Sequence, residues 1–230
     1  MPDYRTLTKR VLLALLACTV AVVICYFWID RPVAFYVYHH NWASVTVFKW
    51  LTYPPPIVQT YSPLVLALLM LRRGFGPLPS WQRTLFVACL SLLVADQFRQ
   101  SLGDLFGRYW PETWINNNPS LIGTDTYGFH AFEAAKTEFK AGDDIGSFPS
   151  GHSARIAGFA SVWWLVYPRS RSPLFVICAA MLFSLVAMDY HFVGDVVAGV
   201  TVGAIVGVYA TCLAELPGCQ AILGQKTPRD

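Results

Sequence analysis

Charged residues are scarce in this 230-residue sequence: Asp, Glu, Lys and Arg make up 13% of it, whereas 55% of the residues are hydrophobic. A soluble domain usually carries about 25% charged residues. The scarcity is concentrated in several apolar runs whose lengths are close to the roughly 20 residues that cross a bilayer. These runs exclude an ordinary soluble domain and predict an all-α, polytopic membrane protein.

Other absences exclude further classes. The formal net charge of +3 is too small to indicate nucleic-acid binding, and the basic residues lie at the ends of apolar runs instead. The six cysteines form no CxxC pair and mostly fall inside apolar segments. We therefore expect buried thiols, with neither a disulfide framework nor a metal cluster. The sequence has no internal repeat and no low-complexity tract.

Six apolar runs predict six transmembrane helices. They cover about residues 11–29, 57–72, 84–106, 153–168, 173–190 and 194–215. The aromatic-rich connection 30–56 is typical of an interfacial segment. Residues 107–150 form the one long loop, and loops of that length are usually functional or disordered. The expected architecture is a single membrane domain over residues 1–230, a helical bundle with one long extracytoplasmic loop.

The basic residues predict the orientation of this bundle. They form four groups, which are Arg5, Lys9 and Arg10; Arg72, Arg73 and Arg83; Arg169 and Arg171; and Lys226 and Arg229. With six spans all four groups fall on one side, and the positive-inside rule makes that side cytoplasmic. Both termini are then cytoplasmic, and the long loop lies on the extracytoplasmic side.

Two features of the apolar runs have alternative interpretations. Residues 15–18, Leu-Leu-Ala-Cys, resemble a lipoprotein cleavage box, but the apolar run continues for ten residues past Cys18, too far for a signal-peptide core. We expect no cleavage there. Gly199, Gly203 and Gly207 form a stripe that lets another helix approach closely, and packing within the bundle is favoured over homodimerisation.

The long loop ends in Pro149-Ser150-Gly151-His152, directly before the fourth apolar run. Proline and glycine form a tight turn, and the unpaired N–H groups of the following helix, with the helix dipole, create an anion site. The hydroxyl of Ser150 adds a donor, and His152 is positioned to donate a proton. By itself the pattern also fits a helix cap beside a solvated histidine.

A second histidine, His191, follows the fifth apolar run and has Asp195 four residues beyond it. On a helix or its first turn, residues at this spacing share one face. A carboxylate bonded to one imidazole nitrogen fixes the tautomer and leaves the other nitrogen free to attack phosphorus. A capping aspartate and an interfacial histidine are the alternative. One helix down and one helix back separate His152 from His191, which places both at the same membrane surface.

Two arginines near the end of the third run are candidate anion ligands. The guanidinium of Arg108 can bind phosphate bidentately, or Arg108 can snorkel beside an aromatic belt. Arg99 lies within the run, where an ionisable residue is a functional candidate because its burial is costly. Asp96 and Asp104 are its possible structural partners.

Together these segments resemble the type-2 phosphatidic acid phosphatase superfamily, the lipid phosphate phosphatases. That family has three motifs: Lys-x6-Arg-Pro, Pro-Ser-Gly-His, and Ser-Arg-x5-His-x3-Asp. Residues 149–152 match the second motif, and His191 and Asp195 keep the spacing of the third. The resemblance covers about residues 84–212, the expected catalytic core, and leaves the first two helices, about 11–72, as accessory. It implies six transmembrane helices and an extracytoplasmic site.

The resemblance also implies a role for each residue. His191 would be the nucleophile that forms a phosphohistidine, Asp195 would orient it, and His152 would be the general acid. The substrate phosphate would be bound by Arg108, Ser150 and Gly151. No metal or other cofactor is implied.

Two cations of the family motifs are missing. Leu185 stands where the third motif has its arginine, Ser101 stands where the first has its lysine, and the proline of the first motif is delayed to Pro111. The candidate replacements are Arg99, Arg155, Lys136 and Lys140. Each has a structural alternative, either a salt bridge within the bundle or a solvated side chain.

The function implied is that of a membrane lipid phosphatase, which hydrolyses a phosphate monoester or diphosphate of a phospholipid or polyprenyl lipid through a phosphohistidine. It would act at the outer face of a bacterial cytoplasmic membrane, with the bilayer and the phosphorylated lipid as its partners. Two alternatives are a lipid-linked phosphotransferase using the same intermediate, and a catalytically inactive lipid-binding or transport module, which the missing cations favour. A vanadate-dependent haloperoxidase shares the motifs, but such enzymes are soluble.

Overall fold

The computed structural model describes residues 4–113, 119–132 and 146–224. Within these ranges the chain forms α-helices and no named strand, so the all-α prediction is confirmed for them. The helices are α1 (Tyr4–Ile24), α2 (Asp30–His39), α3 (Thr46–Thr52), α4 (Pro54–Gly74), α5 (Ser80–Phe106), α6 (Leu121–Thr124), α7 (Gly151–Val166), α8 (Arg171–Ala187), α9 (Val193–Ala214) and α10 (Pro217–Ile222).

Five helical segments in the described part of the chain are long and apolar enough to cross a membrane by length and composition. They are Tyr4–His39, Thr46–Gly74, Ser80–Phe106, Pro168–Ala187 and Val193–Ala214. The remaining predicted span, 153–168, corresponds to α7, whose 16 residues fall short of the roughly 20 that a transmembrane helix needs. The chain is an integral membrane protein. The five candidate spans and the six predicted ones differ in α7.

The N-terminal helical segment is longer than the sequence predicted. Helix α1 continues through a π-helical turn, Cys25–Ile29, directly into α2, so the segment ends at His39 and not near residue 29. The predicted boundary is therefore wrong, because Asp30 keeps helical dihedral angles and continues the helix. The connection 30–56, for which the sequence predicted an interfacial position, is largely helical, since it contains α2 and α3. Pro54 and its neighbours start α4, where proline suits the first helical turn.

Large apolar side chains cover the outside of the bundle. On the N-terminal segment Leu13, Phe27 and Trp28 are each about two-thirds exposed, and Phe175 and Val176 on α8 are exposed to a similar degree. Such a surface is rare on a soluble monomer, whereas lipid chains solvate it at no cost. The described cysteines are all free thiols, as expected, but only Cys25 and Cys89 are fully buried.

Helices α7 and α9 cross at very short range, and the glycine stripe makes this possible. A Cβ atom on Gly199 would overlap Ser150, one on Gly203 would overlap the carbonyl oxygen of Ala154, and one on Gly207 would overlap Ser161. The stripe therefore packs inside the bundle, which is the interpretation that the sequence favoured. The same contact fixes the first turn of α7 against the first turns of α9.

Helix α5 packs on the opposite side of α7. The hydroxyl of Ser91 donates to the carbonyl oxygen of Gly158 at 2.9 Å, and Ala95 would meet a Cβ on Gly158 at 3.1 Å. Helix α7 is thus held between α5 and α9. The turns that carry the predicted motifs lie at one end of this three-helix core.

We expect Gly203→Ala to destabilise the protein, because the added methyl group has to enter the contact with Ala154. Overpacking of this kind costs about 1–3 kcal/mol. Gly74→Ala is the matched control, since no atom lies within 4 Å of a Cβ at this exposed end of α4. Thermal unfolding in detergent should show a lower midpoint for Gly203→Ala and an unchanged midpoint for Gly74→Ala. Equal midpoints would show that the α7–α9 contact has room to spare.

Candidate active site

Two histidines meet at the end of the three-helix core. His152 is the second residue of α7, and His191 lies in the turn between α8 and α9. Their ring centroids are 6.0 Å apart, with the ring planes at 63° to each other. Side chains separated by 39 residues in the sequence are therefore brought to opposite sides of one small space.

Local backbone hydrogen bonds hold His191 in place. Helix α8 ends at Ala187, and the N–H groups of Tyr190 and His191 both donate to the carbonyl oxygen of Leu185, at 3.0 and 3.3 Å. Asp189 adopts a left-handed conformation, with φ of 51°, which turns the chain sharply. The ring of His191 is buried at the end of this turn.

Asp195 lies beside His191 at the start of α9. Its Oδ2 atom is 3.7 Å from Nδ1 of His191, which is longer than a hydrogen bond. The same Oδ2 accepts hydrogen bonds from the hydroxyl of Ser147 at 2.6 Å and from the N–H of Phe192 at 3.1 Å. Asp195 therefore caps α9 and faces His191 at the same time. Catalytic hydrogen bonds are often this long before substrate binds.

The protonation state of His191 follows from its surroundings. Burial lowers the pKa of His191, and the nearby positive charge of Arg99 acts in the same direction. The carboxylate of Asp195 opposes both effects without cancelling them. The ring is therefore neutral near pH 7, the state in which an imidazole nitrogen can act as a nucleophile.

Arg108 is fully buried next to this pair. Its Nη1 donates to Oδ1 of Asp195 at 2.5 Å, and its Nη2 donates to Oδ2 of Asp30 at 2.7 Å and to the hydroxyl of Tyr127 at 3.2 Å. Burial lowers the pKa of Arg108, but the two carboxylates more than offset this and raise it above its usual value. The guanidinium is therefore permanently charged.

The structure gives Arg108 partners other than the phosphate that the sequence predicted for it. Both terminal nitrogens are directed at carboxylates, and the ring of Phe192 covers the guanidinium, with its centroid 4.1 Å from the central carbon. A phosphate between the two histidines would have to displace Asp195 to reach Arg108. The sequence predicted an arginine near the site but not its two carboxylate partners.

Ser150 is also held by internal hydrogen bonds. Its Oγ accepts from the N–H of Ser153 at 3.3 Å and from the Ser153 hydroxyl at 3.0 Å, which makes it the N-cap of α7. Its own N–H donates to the carbonyl oxygen of Asp195 at 3.0 Å. The capping role considered for this motif is thus present, and it ties the first turn of α7 to Asp195.

Arg99 reaches the same turn from helix α5. A Cβ atom on Gly151 would lie 2.7 Å from Nε of Arg99, so the guanidinium rests directly on the glycine. Its charge acts on both His152 and His191. Of the arginines predicted to bind phosphate, Arg99 is the one that lies against Gly151 in the first turn of α7.

The other candidate replacements lie elsewhere. Arg155 donates through Nε to Oδ1 of Asp96 at 2.7 Å, which is the salt bridge within the bundle that the sequence left as its alternative. Lys136 and Lys140 lie outside the described residues. The described chain leaves the vacated motif positions apolar or neutral: Leu185 is buried, and the hydroxyl of the exposed Ser101 donates to a carbonyl of its own helix.

Sequence reasoning missed several residues around the histidines. The ring of Trp110 lies 4.8 Å from that of His191, Ser147 bonds Asp195, and Tyr127 and Asp30 bond Arg108. A signal existed for Asp30, because a carboxylate next to a long apolar run is costly and marks a function. Nothing in the sequence pattern singles out Trp110 or Tyr127. Within the described ranges no three His, Cys, Asp or Glu side chains cluster closely enough to hold a metal ion.

A second buried carboxyl group, Asp189, lies two residues before His191. Its Oδ2 has no hydrogen-bond partner in the described part of the chain. Burial raises the pKa of Asp189 to about 8, and the neighbouring Glu112 adds to the shift. The folded protein therefore keeps Asp189 protonated at neutral pH, although it loses the proton near pH 4 when unfolded.

From this difference we predict that Asp189 lowers stability as pH rises. Between about pH 4 and pH 8 the folded state binds the extra proton, so the free energy of unfolding falls with rising pH and levels off above that range. Asp189→Asn removes the titration, and asparagine tolerates the left-handed backbone. The melting midpoint of Asp189→Asn in detergent, minus that of the wild type, should increase steadily from pH 5 to pH 8. The control is Asp104→Asn, because Asp104 is an exposed carboxylate. The prediction would be contradicted if the melting midpoints of Asp189→Asn and the wild type differed by the same amount at every pH.

Comparison with known proteins gives two findings. Residues 84–216, more than half of the chain, match the family model described as the PAP2 superfamily. Two curated proteins named "Lipid A 1-phosphatase" are also similar. The one from Rhizobium johnstonii is 35% identical over 79 residues, covering 34% of this chain and 30% of that protein. The one from Rhizobium etli is 36% identical over 78 residues, covering 34% and 32%.

The chain thus spans about a third of the length of the curated relatives it matches. No solved structure matches it. The family match includes both histidines, Asp195, Arg108 and Arg99, whereas Asp30 lies outside the matched residues.

Proposed function

We propose that this chain, which belongs to the PAP2 superfamily, is a membrane phosphatase that removes a phosphate group from a phosphorylated lipid. The observation that carries the proposal is the pair of histidine rings 6.0 Å apart, one of them with a carboxylate beside it. The two relatives named as lipid A phosphatases support a lipid as the substrate class. A phosphate monoester or diphosphate on a phospholipid or polyprenyl lipid fits the same chemistry.

In the proposed mechanism His191 is the nucleophile. Its Nδ1 faces Asp195, so we assign the attack on the phosphorus atom to Nε2. The phosphorus–oxygen bond to the lipid breaks as the nitrogen–phosphorus bond forms, and His152 donates a proton to the departing lipid oxygen. Water then attacks the phosphorus atom of the phosphohistidine, and the nitrogen–phosphorus bond to His191 breaks. His152 accepts a proton from that water, and inorganic phosphate leaves.

The phosphate oxygens need positive charge and N–H donors around them. We assign the donors to the first turn of α7 at Gly151, where unpaired backbone N–H groups and the helix dipole favour an anion. Ser150 shapes this turn by capping α7, and Arg99 supplies the positive charge from above Gly151. Arg155 contributes charge near His152 from its salt bridge with Asp96.

For the topology we propose that α7 is the sixth span. At 1.5 Å per residue its 16 residues extend about 24 Å, so the site at its N-terminus would open into a pocket recessed in the membrane surface. With six spans the basic groups lie on the cytoplasmic side and the histidines on the extracytoplasmic side. A bacterial inner membrane, with both termini in the cytoplasm, fits this arrangement.

A second candidate is a lipid-binding module without turnover. The loss of the two motif cations at Ser101 and Leu185 favours it. The enzyme is the stronger proposal, because binding alone requires no neutral imidazole positioned between a carboxylate and a second imidazole.

The proposal predicts that His191→Ala abolishes both turnover and phosphoenzyme formation. His152→Ala should lower the rate by about 10²–10⁴, the usual contribution of a general acid. Phosphate release is measured in detergent with a chelator present, from phosphatidic acid, phosphatidylglycerol phosphate, undecaprenyl diphosphate and lipid A. His40→Ala is the control, since this exposed histidine bonds only its own helix.

Three outcomes of this assay are informative. Wild-type activity in both active-site variants would refute the mechanism. Lipid binding without turnover on any substrate would favour the binding module. Phosphate transferred to a second lipid and not released to water would identify a phosphotransferase.

We further predict that Arg99→Gln lowers kcat/KM by about 10²–10³, as loss of one charged donor to a phosphoryl group does. Arg83→Gln is the matched control, because Arg83 lies near the opposite end of the same helix, where it bonds the carbonyl oxygen of Leu78. The measurement is kcat/KM of both variants by steady-state kinetics on the best substrate of the panel, and it should fall in Arg99→Gln alone. Equal kcat/KM values would remove Arg99 from the phosphate site.

A further inference from the structure

The N-terminal helical segment places one carboxylate, that of Asp30, against Arg108 at the site. Asp30 is 1% exposed, and both of its oxygens are engaged. Its Oδ2 accepts from Nη2 of Arg108 at 2.7 Å, and its Oδ1 accepts from the N–H of Gly194 at 2.9 Å. Asp30 belongs to the part of the chain that the family match leaves out.

Both contacts of Asp30 lead to Asp195. Gly194 is the residue before Asp195, so the bond to its N–H fixes the backbone on which the catalytic carboxylate stands. Arg108 holds Oδ1 of Asp195 with its other terminal nitrogen. With Oδ1 so held, Oδ2 is the oxygen left on the side of His191.

Asp30 also changes the net charge of the group formed by Asp30, Arg108 and Asp195. Arg108 and Asp195 alone would form a neutral pair, and a neutral pair stabilises a positively charged imidazole poorly. With Asp30 included, two carboxylates share one guanidinium, and the three side chains together carry a net charge of −1. The ring of His191 gains positive charge when its nitrogen bonds to phosphorus, so the extra negative charge favours that step.

We propose that Asp30 is a positioning residue for the nucleophile: it fixes Asp195 through Arg108 and the Gly194 N–H, and it leaves Asp195 with the negative charge that His191 requires. This inference rests on the proposed function, since it names a residue that serves the same phosphoryl-transfer site. A burial of this kind is costly without such a role, because a carboxylate taken out of water needs strong compensation.

Packing is the competing explanation, in which Asp30 only anchors the N-terminal segment to α9. Two substitutions separate charge from shape. Asp30→Asn keeps the shape and loses the charge, whereas Asp30→Glu keeps the charge and alters the shape. The proposal predicts that Asp30→Glu retains more activity than Asp30→Asn, and a packing role predicts the reverse order.

The test measures the rate constant of phosphoenzyme formation in a single turnover on phosphatidic acid, or on the best substrate of the panel. A rate constant does not depend on the amount of folded protein, so partial unfolding cannot imitate the effect. Asp30→Asn should lower this rate constant by about 10–100-fold, which is the effect of losing a residue that orients a metal ligand at metal sites. The KM should stay within about twofold of the wild-type value. Asp125→Asn is the matched control, because Asp125 forms an exposed ion pair with Arg31, the neighbour of Asp30.

A second readout needs no turnover. In protein labelled with ¹⁵N-histidine, the Nδ1 resonance of His191, assigned with His191→Ala, reports which nitrogen carries the proton. Wild type and Asp125→Asn should hold the proton on Nδ1, and Asp30→Asn should shift part of it to Nε2. If the wild type turns over no substrate, the proposed function fails while this spectrum still tests Asp30. An unchanged spectrum and an unchanged rate constant in Asp30→Asn would overturn the inference.

Discussion

The buried guanidinium of Arg108 is the contact on which the rest of the site depends. The guanidinium contacts the N-terminal segment through Asp30 and helix α9 through Asp195. The backbone carbonyl oxygen of Arg108 accepts from the N–H of Ser147, just before the α7 turn. Three pieces of chain that are far apart in sequence thus meet at Arg108, two of them at its charge and the third at its backbone. An unpaired charge in this position would be prohibitively costly, so the three pieces have to assemble together.

The close crossing of α7 and α9 has a complementary role. The guanidinium fixes Asp195 from one side, and the N–H of Ser150, donating to the Asp195 carbonyl oxygen, fixes it from the other. The glycine stripe allows α9 to come near enough for that second bond. Backbone packing and a buried ion pair, together with the turn that carries His191, therefore set the distance between the two imidazoles.

The parts of the candidate site that could be predicted from the sequence are the local ones. The spacing from His191 to Asp195 falls within one helical turn, and the Pro-Ser-Gly-His turn leads directly into α7. The partner of Arg108 could not be predicted, because Asp30 is 78 residues away and only the fold brings them together. The end of the first span was misplaced for a related reason: Asp30 reads as a polar boundary in sequence, whereas its ion pair lets the helix continue through it.

Asp195 performs two duties with one side chain, since its Oδ2 caps the first turn of α9 and also faces His191. In the proposed mechanism, His191 would therefore be activated only when the first turn of α9 is formed, because a frayed α9 would no longer hold Asp195 beside the imidazole. Under the proposed function, newly made protein that has not finished inserting would be unable to remove phosphate from lipids, because the fold and the reactivity of His191 would be completed in the same event.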